Sequence, residues 1–284
     1  MLAYAVRYHN AAAGVMVTAS HNPKADDGYK VYWGNGAQII PPHDEGIAHE
    51  ISQNLVPWQE YSTHEIEASS LYHDITEDLT ERYLQQVETL AKRRENNGAS
   101  ALRVTYTAMH GVGHRYFLAA VQRFGFNSDN IVSVTAQSEP DAEFPTVKFP
   151  NPEEKGALDL AIETANQSGC NLILANDPDA DRLAAAEKVG ENQWQLFTGN
   201  QIGVLLGHYM FTRWQRHHHT DGATHDVSKL AMCASVVSSK MLAKVAEVEG
   251  FRFEQTLTGF KWLGNRSIDL RAEGFDVLFS YEEA

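Results

Sequence analysis

The chain is 284 residues long with 43% hydrophobic and 21% charged residues, enough apolar material for about two domains of roughly 150 residues and too much for a disordered chain. Asp and Glu outnumber Lys and Arg 37 to 23, a net charge of −14, which repels nucleic acid and anionic membranes, and no Lys/Arg-rich run reverses it locally. The two cysteines, Cys170 and Cys233, are far apart and in no metal-binding spacing, which excludes a disulfide framework and a zinc knuckle and favours a reducing compartment.

Residues 2–9 suit the end of a helix, and Gly14 then opens a short strand, Val15, Met16 and Val17, expected to be buried and to deliver Ser20 to a loop. The first twenty residues have neither the apolar core of a secretory signal nor the Arg-rich look of a transit peptide, so a cytoplasmic protein is expected. No run reaches the roughly 18 apolar residues that a membrane-spanning helix needs. Asp74 and Glu77 form a capping pattern, and Leu79, Tyr83, Val87 and Leu90 recur at helical spacing as far as Arg94, closed by Asn96, Asn97 and Gly98. This helix opens a second unit. The expected division is 1–73, 74–197 and 198–284.

In the second unit the pattern gives a strand over 102–107, a loop over 108–113, a helix stopped by Gly125, and a strand over 131–135. The next helix is expected to start at Asn151, with Pro152, Glu153 and Glu154 in its first turn, and to close at Gly169 before a strand over 171–175. The third unit reads as a helix over 201–214, a strand over 230–233, a helix over 236–249, and strands over 253–256 and 277–280. Between them RWQRHHHTDG, with His217, His218 and His219, reads as a surface loop. The alternation implies an α/β fold of consecutive domains with mixed, mainly parallel sheets. Ligands collect beyond the carboxyl ends of such strands, and Ser20, Asp177, Thr258 and Glu282 each follow one, so loops from three units can share a cleft.

Asp177, Asp179 and Asp181 alternate in NDPDADR, and alternate side chains of an extended loop share a face, which suits a hard divalent cation. An EF-hand is excluded, because Arg182 and Lys188 stand where its Gly and Glu belong. A solvated acidic turn is the other reading, and the apolar LILA and LAAA on either side favour the metal. Ser20 begins the turn SHNP and reads alone equally well as a turn-forming serine; neither G-x-S-x-G nor S-x-x-K argues for acyl transfer. On an extended chain His21 points away from Ser20. Lys24 and Lys30 nearby suit phosphoryl transfer, whose oxygens need cationic clamps. Gly111 and Gly113 lack the third glycine of a dinucleotide loop, Tyr116 standing there, and read as a tight turn; no G-x-x-x-x-G-K-S/T occurs. Glu282 and Glu283 read either as acceptors for sugar hydroxyls or as surface acids.

TASHNP, NDPDADR, TGFKWLGNR and YEEA, in that order, resemble the phosphoserine, metal, phosphosugar and sugar-recognition loops of the α-D-phosphohexomutase superfamily. GYKVYWGNGAQI, FPTVKFPNPEEKGAL and LANDPDADRLAAAEK resemble its phosphoglucomutase branch that also handles phosphopentoses, relatives of which include glucose 1,6-bisphosphate synthase. The resemblance implies that Ser20 carries a transferable phosphoryl group and that Asp177, Asp179 and Asp181 hold Mg²⁺ against its oxygen. It implies phosphate neutralisation by Arg182, proton transfer or phosphate contact by Lys30, and acid–base or substrate contact by His21, Lys24 and Lys261. Thr258 and Gly259 fall in the phosphosugar loop, and Glu282 would accept from two sugar hydroxyls. The implied activity is a mutase acting on glucose or pentose phosphates through a sugar bisphosphate, in a monomer without nucleic-acid or membrane partners. The alternatives are a glucose 1,6-bisphosphate synthase and an inactive sugar-phosphate binding fragment. Two features depart from the pattern. GEES is replaced by Tyr281, Glu282, Glu283 and Ala284, which fits pentose tolerance. Members have four domains, so the chain is expected to be a fragment lacking the start of domain one, with an unpaired sheet edge there, and all of domain four.

Overall fold

The computed structural model describes residues 1–220 and 226–283, with the backbone alone for 217–220. Helix α1 (Leu2–Tyr8) covers one face of a two-stranded antiparallel sheet, β1 (Ala13–Val17) and β2 (Tyr29–Trp33). Gly14 faces the helix so closely that a Cβ there would lie 2.6 Å from the Val6 side chain. The two-residue period then turns Val15 and Val17 outward, 58% and 87% exposed. The expectation of a buried strand is therefore corrected: one helix covers one face only.

α2 (His43–Gln53) and α3 (Thr63–Glu67) follow, the latter with a Ser62–Glu65 capping box. α4 (Thr76–Glu88) buries Leu79 and Leu84. It stops six residues before Arg94, whose guanidinium folds back onto Glu88. Asn96, Asn97 and Gly98 thus lie inside a separate short helix, α5 (Arg94–Gly98), and do not end α4.

The second sheet runs β4-β3-β5-β6-β7. β3 (Val104–Thr107), β4 (Ile131–Ser133) and β5 (Leu172–Ala175) are parallel, while β6 (Ala184–Gly190) and β7 (Gln193–Phe197) add an antiparallel hairpin that the sequence reading did not contain. α6 (Gly113–Arg123) and α7 (Asp159–Ser168) connect the parallel strands. α7 begins at Asp159, not at Asn151. Asn151 Oδ1 does accept from the Glu153 N–H (3.1 Å), but Gly156 at φ +85° breaks the helical path between them. Gly169 closes α7 at φ +68° as expected.

In the third unit α8 (Gly199–Thr220) precedes a parallel sheet of order β10-β8-β9, built from β8 (Leu230–Ser235), β9 (Arg252–Thr256) and β10 (Asp276–Tyr281), with α9 (Met241–Glu249) and α10 (Phe260–Ala272). Residues 213–220, read as loop, continue α8, because no Gly or Pro stands between Gly207 and Gly222; residues 221–225 lie outside the described residues. α9 starts five residues later than expected, since the Val236 N–H is taken by Thr256 O. α10 fills a stretch to which the sequence reading gave no element. Along β8, Leu230, Met232 and Ala234 pack with Phe211 and Leu242 under α8 and α9, while Ala231 and Cys233 pack with Leu263 and Leu270 under α10. The sheet is thus buried on both faces, which the expected α/β class requires.

Candidate active site

β1 leads through Thr18 into the loop that carries Ser20. The Ser20 N–H donates to Thr18 Oγ1 (2.8 Å), and Ser20 takes φ +56°, a left-handed conformation costing a non-glycine residue roughly 1–2 kcal/mol. That turn overrides the alternation of an extended chain. His21 Nδ1 consequently lies 3.4 Å from Ser20 Oγ, where the sequence reading pointed the two apart.

The NDPDADR loop joins β5 to β6. It is a turn with Ala180 at φ +58°, not an extended segment, yet it brings carboxylate oxygens of Asp177, Asp179 and Asp181 within 4.8 Å of one another. Asn176 staples it, donating to Arg182 O (2.5 Å) and accepting from the Tyr106 hydroxyl (2.8 Å). The tight turn after β3 supports it from the side: the Val112 N–H donates to Pro178 O (2.9 Å), and a Cβ on Gly111 would sit 2.2 Å from Pro178 Cα. The glycine turn expected there is present, with a buttressing contact beyond what the turn alone implied.

Ser20 Oγ donates to Asp177 Oδ2 (3.3 Å) and Asp179 Oδ1 (3.5 Å), and Thr18 Oγ1 donates to Asp179 Oδ2 (3.1 Å). Lys30 Nζ bridges Asp179 (2.7 Å) and Asp181 (2.6 Å), while the Arg182 N–H donates to Asp177 Oδ1 (3.0 Å) and its Nε lies 3.8 Å from Oδ2. Burial, reinforced by the charges of Asp179 and Asp181, pushes the fully buried Asp177 up to about 7. Burial acts on Asp179 in the same sense, but hydrogen bonds from Lys30 and Thr18 outweigh it and hold this carboxyl below its ordinary range. Burial and then Arg182 lower His21. Two cations face three acids, and every donor around the gap is a hard oxygen; that set fits a divalent cation of the magnesium and calcium type.

A cavity of about 1170 Å³ opens in front, lined by Ser20, His21, Lys30, Asp181, Arg182, Thr258, Gly259 and Glu282 among others. Gly259, at φ +112°, donates its N–H to both carboxylate oxygens of Glu282 (3.0 Å each). Four sequence candidates are outside the lining: Asp177 and Asp179, which Ser20 Oγ reaches, and Lys24 and Lys261. Lys24 is exposed and pairs with Glu143, and Lys261 Nζ lies over the Trp262 ring, 5.6 Å from its centroid. Ala284 lies outside the described residues. The sequence reading missed Thr18, Tyr106 and Asn176; only Thr18 had a signal, standing two positions before Ser20 at the end of a strand.

Residues 81–190 match domain II of the phosphoglucomutase/phosphomannomutase family, an alpha/beta/alpha domain, and residues 1–56 and 198–284 match its domains I and III. The chain belongs to the α-D-phosphohexomutase superfamily. It is 45% identical over 283 residues to human phosphopentomutase and 44% identical over 283 residues to human glucose 1,6-bisphosphate synthase. Each alignment covers 99% of this chain and 45% of the relative, so the chain spans under half the length of these proteins. A putative phosphomannomutase from Thermus thermophilus shares the fold, with a TM-score of 0.73 at 22% identity over 99% of this chain and 56% of that one. Members of the superfamily use a metal ion, and Asp177, Asp179 and Asp181 are the cluster able to hold one among the described residues. No helix among the described residues is long and apolar enough to cross a membrane.

Proposed function

We propose that the chain carries the phosphoryl-transfer centre of a phosphosugar mutase, an intramolecular phosphotransferase that moves phosphate between C1 and the terminal hydroxyl of glucose or pentose phosphates. The observation that carries this reading is a serine hydroxyl 3.3 and 3.5 Å from two members of an acidic triplet, at the wall of a cavity wide enough for a phosphosugar. Mg²⁺ would be held by Asp177, Asp179, Asp181 and an oxygen on Ser20, where it would spread the charge of the transferring group.

The chain's own residues supply the rest. Ser20 Oγ attacks one phosphate of a sugar bisphosphate; the new P–O bond forms as the sugar P–O bond breaks, the hydroxyl proton passes to His21 Nδ1, 3.4 Å away, and the leaving sugar oxygen takes a proton from water in the cavity and departs as a hydroxyl of the sugar monophosphate. In reverse, a sugar hydroxyl takes the phosphoryl group from Ser20, so reorientation of the bisphosphate between the two halves gives net isomerisation. Lys30 and Arg182 line the cavity and clamp phosphate oxygens. Both oxygens of Glu282 keep a free lone pair beyond the Gly259 bond and accept from sugar hydroxyls, with Thr258 and Gly259 beside them. Lys24 and Lys261, which the resemblance offers as acid–base or substrate contacts, lie outside the cavity lining. The reading includes a cytoplasmic monomer without nucleic-acid or membrane partners.

The 44% identity to a glucose 1,6-bisphosphate synthase favours a second reading, transfer from another phosphate donor to a sugar monophosphate. The test is incubation with glucose 1,6-bisphosphate and Mg²⁺ followed by peptide mass spectrometry. One phosphate on Ser20, lost in Ser20→Ala, is expected; label elsewhere or none overturns the proposal. Phosphorylation of Ser20 by 1,3-bisphosphoglycerate in preference to ribose and glucose bisphosphates would favour the synthase.

A further inference from the structure

At the carboxyl ends of the third sheet, the segments that follow β8, β9 and β10 meet the first turn of α8. Asn200 Nδ2 donates to Glu283 Oε2 (2.7 Å), and Asn200 Oδ1 accepts from the Ser239 N–H (2.5 Å). The glycines on either side make this approach possible. A Cβ on Gly199 would lie 1.4 Å from Glu283 O, and one on Gly203 would lie 2.1 Å from the Tyr281 ring. The Tyr281 hydroxyl in turn reaches Ser239 O (3.4 Å). Glu282, between these anchored neighbours, holds the Gly259 N–H with both oxygens. One side chain on α8 therefore joins Ser239 and Glu283 directly, and Gly259 through Glu282.

The chemistry of the side chain matters. At a single position it must donate to a carboxylate and accept from a backbone N–H at once, which an amide does and an ionised carboxylate does not. We infer that Asn200 is a positioning residue for sugar-phosphate binding: by holding Glu283 it fixes where Glu282 presents its carboxylate to the cavity. The inference rests on the mutase reading for its substrate. It departs from a plain packing role in one respect, because the direction of the hydrogen bond, and not the volume of the side chain, sets the outcome.

Three forms of the chain separate the two: wild type, Asn200→Asp, and the double variant Asn200→Asp with Glu283→Gln. Asn200→Asp is nearly isosteric and keeps the acceptor for Ser239, but sets two carboxylates against each other. The double variant restores one donor and one acceptor with their order reversed. The first readout is the glucose 1,6-bisphosphate concentration giving half-maximal phosphate uptake at Ser20. It is expected to rise at least about tenfold in Asn200→Asp and to return towards wild type in the double variant, the scale set by losing a hydrogen bond to a charged group. Mn²⁺ affinity at the Asp triplet, unchanged in all three, reports that the serine centre is intact. An unchanged half-saturation in Asn200→Asp, or a rise that the double variant fails to reverse, overturns the inference. If wild type takes up no phosphate, the mutase reading fails by itself, and amide exchange at Gly259 decides the positioning: faster exchange in Asn200→Asp with recovery in the double variant sustains it, and unchanged exchange overturns it.

Discussion

Around Ser20 the geometry is set by charge: three carboxylates, one ammonium and one guanidinium converge, with Asp177 fully buried and Asp179 4% exposed. Around Glu282 it is set by close packing and by single hydrogen bonds, with glycines at 199 and 203 where the chain comes nearest itself and Gly259 at φ +112° donating to Glu282. Charges held together in low dielectric respond strongly to the loss of one member, because the others lose their compensation. A packed loop responds in proportion to the atoms displaced. The two walls of one cavity should therefore fail differently: the first in ion affinity, the second in sugar-phosphate affinity.

The largest expected effect is on the charged side. Asp179 accepts from Lys30, Thr18 and Ser20 together, so Asp179→Asn removes a proposed cation ligand and unbalances Lys30. Loss of a neighbour that merely orients a ligand costs about 10–100-fold in metal affinity, so loss of a ligand should exceed about 100-fold. Titration with Mn²⁺ measures it. The thermal stabilisation that a divalent cation gives wild type should vanish in the same variant, since an ion stabilises only the form that binds it. A variant that retains the shift would separate the acidic triplet from ion binding.

A smaller effect tests whether packing contributes on the charged side too. Gly111→Ala would place a methyl group 2.2 Å from the backbone of Pro178, the residue between the first two acids. Overpacking of this kind costs about 1–3 kcal/mol, and here the atoms that must give way belong to the loop of the acidic triplet. Urea unfolding should show the loss of stability, and Mn²⁺ affinity should fall with it. A stability loss with unchanged affinity would mean that the loop keeps its shape without the buttress.

The acidic triplet was legible because like charges two residues apart between apolar runs leave few physical solutions. The class of fold was legible from alternating periods, as were the stops at Gly125 and Gly169. What stayed hidden depended on contacts distant in sequence or on left-handed residues that no pattern marks. Ser20 at φ +56° reverses the direction of His21, and no sequence pattern marks it. Gly156 reads as a tolerated helical glycine until its φ of +85° shows the break before α7. The Gly111 and Pro178 contact joins two loops 67 positions apart, so neither loop announces it alone. Val15 and Val17 read as core because they stand in a continuous apolar run with Met16, and such a run does not tell whether a partner covers both faces.

The smallest effect concerns the seam between the two walls. Asn265 on α10 accepts from Asn35 Nδ2 (3.0 Å) and donates to Gln38 O (2.9 Å), tying the unit that carries Glu282 to the turn after β2. Both bonds are neutral and at most half-buried, and water replaces them at modest cost. Asn265→Ala is therefore expected to lower stability by about 1 kcal/mol, the net worth of such bonds. Mn²⁺ affinity should stay at the wild-type value, because no member of the Asp triplet touches this seam, while half-saturation by a sugar bisphosphate should rise slightly as the Glu282 wall loosens relative to Ser20. Urea unfolding and the Ser20 labelling curve measure the two quantities on the same samples. Equal losses in ion and sugar-phosphate affinity would mean that the walls move as one body, and that charge and packing are not the separate controls inferred from their contacts.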